Sequence, residues 1–109
     1  MNKSRRKEIR LFIVKLNSIL NDIGSGMPLN MDLLNDIISD LECTFNDEEC
    51  YRDNIPENLQ SSCRYEAAEE ACDNLENAVD ALNYIEEDDS VEYIVGQIKE
   101  TINYLNDAI

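Results

Sequence analysis

The chain has 109 residues, a size that predicts one domain, 1–109, with its own core. Three glycines, two prolines and no tryptophan argue against a hairpin-rich β fold and favour helices packed by aliphatic side chains. The net charge of −15 excludes general attraction to nucleic acid or anionic membranes and favours a partner with a basic protein surface.

The first predicted helix covers residues 4–23. Glycines and a proline within residues 24–28 end it. Its apolar residues recur every three or four positions, the pattern of a helix that buries one stripe. They are Ile9, Phe12, Ile13, Leu16, Ile19, Leu20 and Ile23.

The start of this helix is basic. Residues 1–15 hold six lysines and arginines against one glutamate, a net +5, which leaves −20 for the rest of the chain. The favoured interpretation is that these cations pair with acidic helices of the same bundle. The alternative is a nucleic-acid-binding arm, which the −20 body would oppose.

A second helix is predicted over residues 30–45, with Asn30 as N-cap and a possible extension to 53. Its apolar face contains Leu33, Leu34, Ile37, Ile38 and Leu41. The extension is left open because Tyr51 keeps the helical spacing while Asn46 and Asp47 weaken the helix. Residues 53–62 then form a connector, in which Ile55 and Leu59 are the expected anchors into the core.

The third helix is predicted over residues 62–87. Its seam, with steps of three and four, contains Tyr65, Ala68, Cys72, Leu75, Val79 and Leu82, flanked by Ala71, Ala78 and Ile85. Its other side is acidic. The carboxylates expected to contact a partner are Glu66, Glu69, Glu70, Asp73, Glu76, Asp80, Glu86, Glu87, Asp88 and Asp89.

A fourth helix is predicted over residues 90–108, opened by a capping box at Asp89–Glu92. Its apolar face contains Val91, Ile94, Val95, Ile98, Ile102 and Leu105. Gly96 inside it is explained if a neighbouring helix passes close. Together the elements predict an all-α, antiparallel four-helix bundle. The alternative is a pair of helical hairpins that complete their core as a dimer.

The four cysteines, Cys43, Cys50, Cys63 and Cys72, have no close pair, and the chain has no histidine. Structural zinc sites nearly always contain a close pair, so we expect free thiols and neither metal nor cofactor. No secretory signal or membrane-spanning run is evident, which predicts reduced thiols in a cytoplasm. The acidic clusters 47–49 and 86–89 do not match a calcium loop.

No reaction chemistry is visible either. The chain has no phosphate-cradling glycine loop and no nucleophile elbow, and its many carboxylates lack the apolar or aromatic material for a catalytic cleft. These observations predict that the protein is not an enzyme.

The acidic face of the third helix admits two interpretations. Carboxylates three or four residues apart on a helix lie ~5–6 Å from each other, comparable to successive phosphates of a nucleic-acid strand. Such a helix can present a nucleic-acid-like charge pattern to a basic protein. The competing interpretation is an ordinary solvated face, although like charges at this spacing cost stability.

The segment NIPENLQSS, residues 54–62, and the helix that follows to residue 82 resemble a family of short acidic helical proteins. These are carried by phages, prophages and conjugative elements of Gram-positive bacteria. The specific part of the resemblance is the D-N-x-P-E-N-L-Q-x-S connector. This chain departs from the pattern in the helix inserted over residues 24–45 and in its continuation past Asp89.

The resemblance implies a protein of a mobile element, a class whose small acidic members often block host machinery, as anti-CRISPR and anti-restriction DNA mimics do. We therefore expect a non-enzymatic inhibitor of a basic nucleic-acid-handling host protein, such as a CRISPR effector. The alternative is a structural or assembly module that dimerises through its apolar seams.

Overall fold

The computed structural model describes residues 1–109, which form four α-helices and no strand. The helices are α1 (Lys3–Gly24), α2 (Met31–Asp53), α3 (Cys63–Asn83) and α4 (Val91–Ala108), and a 3-10 turn covers Glu57–Leu59. The all-α prediction is confirmed. The open question about α2 is resolved in favour of the longer helix, which ends at Asp53.

The helices form an antiparallel bundle 53 Å long and 22 by 19 Å across. Each connector is too short to run back along a helix, so sequence neighbours must alternate in direction. Both α1 and α3 pack against α2 and α4. This arrangement places α1 and α3 diagonally across the bundle, with their outer faces directed away from each other.

One core draws on all four helices and supports the predicted seams, except at Val91, which is 61% exposed at the start of α4. The largest fully buried apolar side chains are Ile9, Leu16, Leu34, Ile37, Leu41, Leu75, Leu82, Ile98 and Leu105. Aliphatic side chains at steps of three and four interdigitate between facing helices, the packing expected of a four-helix bundle.

The end of α3 differs from the prediction. The helix stops at Asn83, and Ile85 is buried just beyond it, so residues 84–90 form a connector. A physical reason is the run of acids at 86–89, because negative charge is unfavourable at a helix C-terminus.

The N-cap of α4 also differs by one residue. Ser90, not Asp89, accepts the hydrogen bond that caps the helix, from the backbone N–H of Tyr93. The Asp89 carboxylate instead accepts from the backbone N–H of Glu86 at 2.7 Å and so closes the connector on itself.

The connector between α2 and α3 has one apolar anchor instead of the two expected. Ile55 is buried, whereas Leu59 is 49% exposed. The backbone is extended at Pro56 before the 3-10 turn begins, so the four-residue spacing no longer places both side chains on one face.

Gly96 contradicts the expectation of a close helix contact. It is exposed, and a methyl group added there would meet no atom within 4 Å. The glycine therefore destabilises α4, and no close helix contact compensates for this loss.

We expect Gly96→Ala to raise the free energy of unfolding by about 1 kcal/mol, because alanine is the better helix former by that amount. The corresponding rise in melting temperature is roughly 4 °C. Gly26→Ala is the control, since Gly26 has a φ of 89° and should lose stability on substitution. Thermal unfolding followed by circular dichroism measures both; a Gly96→Ala protein that melts below the wild type would contradict the prediction.

Candidate functional site

Six of the ten predicted contact residues lie on α3 and share its outer side. At 100° per residue their side chains fall within a sector of about 120°, along ~21 Å of helix. We call this set the acidic face: Glu66, Glu69, Glu70, Asp73, Glu76 and Asp80.

All six side chains of the acidic face are exposed. The four ion pairs of the molecule involve Glu48, Glu49 and Asp53, so no basic group neutralises the acidic face from within the chain. The opposite side of α3 is buried in the core, which fixes the orientation of the helix. The result is a rigid, uncompensated row of carboxylates available to an external cation.

The other four predicted residues, Glu86–Asp89, are not on a helix. They lie in the connector that follows α3, at the end of the bundle beyond Asp80. Carboxylate oxygens of Glu86, Asp88 and Asp89 approach within 4.8 Å of one another. Exposed acidic groups commonly sit this close without an ion, and we assign no metal to them.

The outer face of α1 carries charge of the opposite sign. Lys3, Arg6, Lys7 and Arg10 are exposed there and form no ion pair. The predicted internal pairing therefore holds for Arg5, whereas these four cations face solvent on the side of the bundle opposite the acidic face. The first half of α1 therefore presents net positive charge on a chain that is otherwise acidic.

Arg5 takes part in a buried polar cluster that sequence reasoning missed. Its Nε donates to Oε2 of Glu48 at 2.6 Å, and its guanidinium lies 5.3 Å from the centre of the Tyr51 ring. The Glu48 side chain is fully buried, and its Oε1 lies 3.4 Å from the Met1 amino group. The cluster joins the start of α1 to the end of α2.

A second polar contact continues this junction. The Thr44 hydroxyl lies 2.9 Å from Oε2 of Glu8 on α1 and 3.2 Å from the backbone oxygen of Asp40. Because a hydroxyl has a single proton, it can donate to one of these acceptors at a time. This polar layer closes the bundle at one end and is structural, since Glu48 is inaccessible to a partner.

The four cysteines do not pair with one another. Cys43, Cys50 and Cys63 are exposed and Cys72 is buried in the core seam of α3. Burial raises the pKa of the Cys72 thiol to about 11, with the nearby Glu48 and Glu49 adding to the rise and Arg52 opposing it. The thiolate is the reactive form, so Cys72 should be inert.

We expect three of the four thiols to react rapidly with Ellman's reagent in the native protein at pH 8. Cys72 should react at least about a hundredfold more slowly, since a two-unit pKa rise lowers the thiolate population by that factor. Unfolding in urea should release it, and Cys72→Ala should remove the slow phase alone. Four rapid thiols in the native protein would contradict the buried position.

None of the helices is both long and apolar enough to cross a membrane. Comparison with protein-family models, curated proteins and solved structures finds no match to this chain. The resemblance of residues 54–82 to proteins of mobile elements therefore stays a prediction. The acidic face remains the feature on which a functional proposal can be built.

Proposed function

We propose that this chain is a non-enzymatic protein of a mobile genetic element, which binds and inhibits a basic nucleic-acid-handling host protein such as a CRISPR effector. The acidic face would occupy the groove in which that protein holds nucleic acid. The proposed site of action is the cytoplasm of the bacterial host.

One observation carries the proposal: six exposed carboxylates lie on one sector of a rigid helix with no internal counter-charge. Like charges at helical spacing lower the stability of a helix, so the acidic face does not serve the fold. A binding role explains its presence. A preorganised charge row also loses little conformational freedom on binding, which favours affinity. The resemblance of residues 54–82 supplies the mobile-element setting.

The alternative function is an assembly module that dimerises through its apolar seams. It has less support, because most seam residues of all four helices are buried within a single chain. A second copy would have to use the outer faces instead, where Leu11 and Val14 of α1 are exposed among charged residues. This alternative predicts a tight dimer whose mass, measured by light scattering, does not change with salt.

Competition with nucleic acid tests the proposal. The immobilised protein is exposed to a lysate of a Gram-positive host at low salt, and captured proteins are eluted with duplex DNA or with RNA. We expect the nucleic acid to release a basic nucleic-acid-binding protein, because both ligands would need the same groove. A captured partner that nucleic acid cannot displace, or the absence of any basic partner, would contradict the proposal.

A further inference from the structure

A groove between α3 and α4 extends the acidic face. It has a volume of about 230 Å³, and its lining includes Asp80, Tyr84, Gln97, Glu100 and Tyr104. We call it the tyrosine groove. It shares Asp80 with the acidic face, and no lysine or arginine lines it.

Two properties of the tyrosine groove suit a cationic ligand. Tyr84 is 65% exposed, a large aromatic ring left in solvent at the C-terminal end of α3. The Tyr104 hydroxyl donates to Oε1 of Glu100 at 3.0 Å, which orients that carboxylate and leaves its second oxygen free to accept. Asp80 supplies a second carboxylate from the facing helix.

The chain itself contains the matching arrangement with its cation in place. At the α1–α2 junction, the Arg5 guanidinium bonds to the Glu48 carboxylate and lies over the Tyr51 ring. The tyrosine groove holds the same two kinds of group, carboxylate and phenol ring, without a guanidinium. An arginine from outside the chain would complete it.

Arginine fits this groove better than lysine does. The guanidinium is planar, stacks on aromatic faces and bonds to carboxylates through a fixed fork, whereas the lysine ammonium is a compact and strongly hydrated charge. Tyrosine and arginine are also the residues that most often dominate binding energy at protein interfaces.

We propose that the tyrosine groove receives an arginine side chain of the basic partner, stacked on Tyr84 and bonded to Asp80 or Glu100. The inference rests on the proposed function, because the groove continues the acidic face through Asp80. It adds that recognition depends on arginine in particular at this end of the interface, and not on positive charge alone.

Calorimetric titration of the full chain with hexa-arginine and hexa-lysine at low salt tests the inference. We expect the wild type to bind hexa-arginine more tightly than hexa-lysine. Tyr84→Leu should lower the ratio of the two affinities about fivefold, the effect of losing one partly desolvated cation–π contact. Its affinity for hexa-lysine should not change. Tyr84→Phe keeps the ring and should keep the preference.

Tyr93→Leu is the matched control, since Tyr93 is an exposed tyrosine that does not line the groove. Circular dichroism checks that each variant is folded. An unchanged arginine preference in Tyr84→Leu, or an equal loss in Tyr93→Leu, would overturn the groove and leave the acidic face in place. A wild type that binds neither peptide would overturn the proposed function as well.

Discussion

Replacing Arg5 with alanine should lower the free energy of unfolding by about 3 kcal/mol, because removing one partner of a buried ion pair leaves the other without its nearest counter-charge. The remaining charge is Glu48, whose side chain is fully buried and whose 2.6 Å bond to Arg5 would be lost, which leaves it only the Met1 amino group at 3.4 Å. Urea unfolding measures the loss, which corresponds to a fall in midpoint of about 1–2 M. Arg6→Ala is the control, since Arg6 is exposed and unpaired and should change stability by less than about 0.5 kcal/mol.

The double variant Arg5→Met with Glu48→Leu separates the ion pair from the packing around it. Apolar side chains that replace both members of a buried pair are often neutral or stabilising, since neither member is left to desolvate. The Met1 amino group, which lies 3.4 Å from Glu48 Oε1, loses its carboxylate partner in this variant. We therefore expect the double variant to recover part, but not all, of the stability that Arg5→Ala loses. Equal losses in the single and double variants would show that volume at this junction matters more than charge.

The same junction shows what periodicity in the sequence could and could not predict. The buried residues of α2 continue the seam of Leu34, Ile37 and Leu41 to Thr44 and Glu48, in steps of three and four. The apolar part of this seam ends at Leu41, so the apolar pattern does not determine the residue at which α2 ends. The spacing alone, applied without regard to polarity, would have placed Glu48 inside.

Arg5 carries the corresponding signal on α1, four residues before the buried Ile9. Each helix alone therefore indicates a polar residue at a core position. That the two residues meet depends on the register between α1 and α2, which neither segment encodes by itself. Pairing opposite charges at the facing ends of two predicted antiparallel helices would have suggested the contact.

The acidic face was predictable for the residues that are in α3 and not for those beyond its end. Glu66 through Asp80 follow the period of the helix, and the apolar seam on the other side fixes their outward direction. The helix predicted to residue 87 includes Glu86 and Glu87, which the structure places in the connector. The helix dipole opposes acids at that end, and the turn that buries Ile85 ends the helix first.

Reversing four carboxylates of the acidic face should abolish capture of the basic partner while the fold persists. The variant replaces Glu69, Glu70, Asp73 and Glu76 with lysine. If each reversal costs even about 1 kcal/mol across the interface, binding falls nearly a thousandfold. All four side chains are exposed and lysine is a good helix former, so helix content should not change.

A matched variant distinguishes the acidic face from net charge. Lysine at Asp22, Asp36, Glu42 and Asp107 also reverses four exposed carboxylates, but these lie on α1, α2 and α4. Both variants change the net charge from −15 to −7, since each reversal adds two charges. If the acidic face is the binding surface, the matched variant should still capture the basic partner from the lysate. Duplex DNA should then elute that partner, as it does from the wild type. Equal loss in both variants would mean that the partner responds to total charge, and unchanged capture by the α3 variant would remove the acidic face from the mechanism.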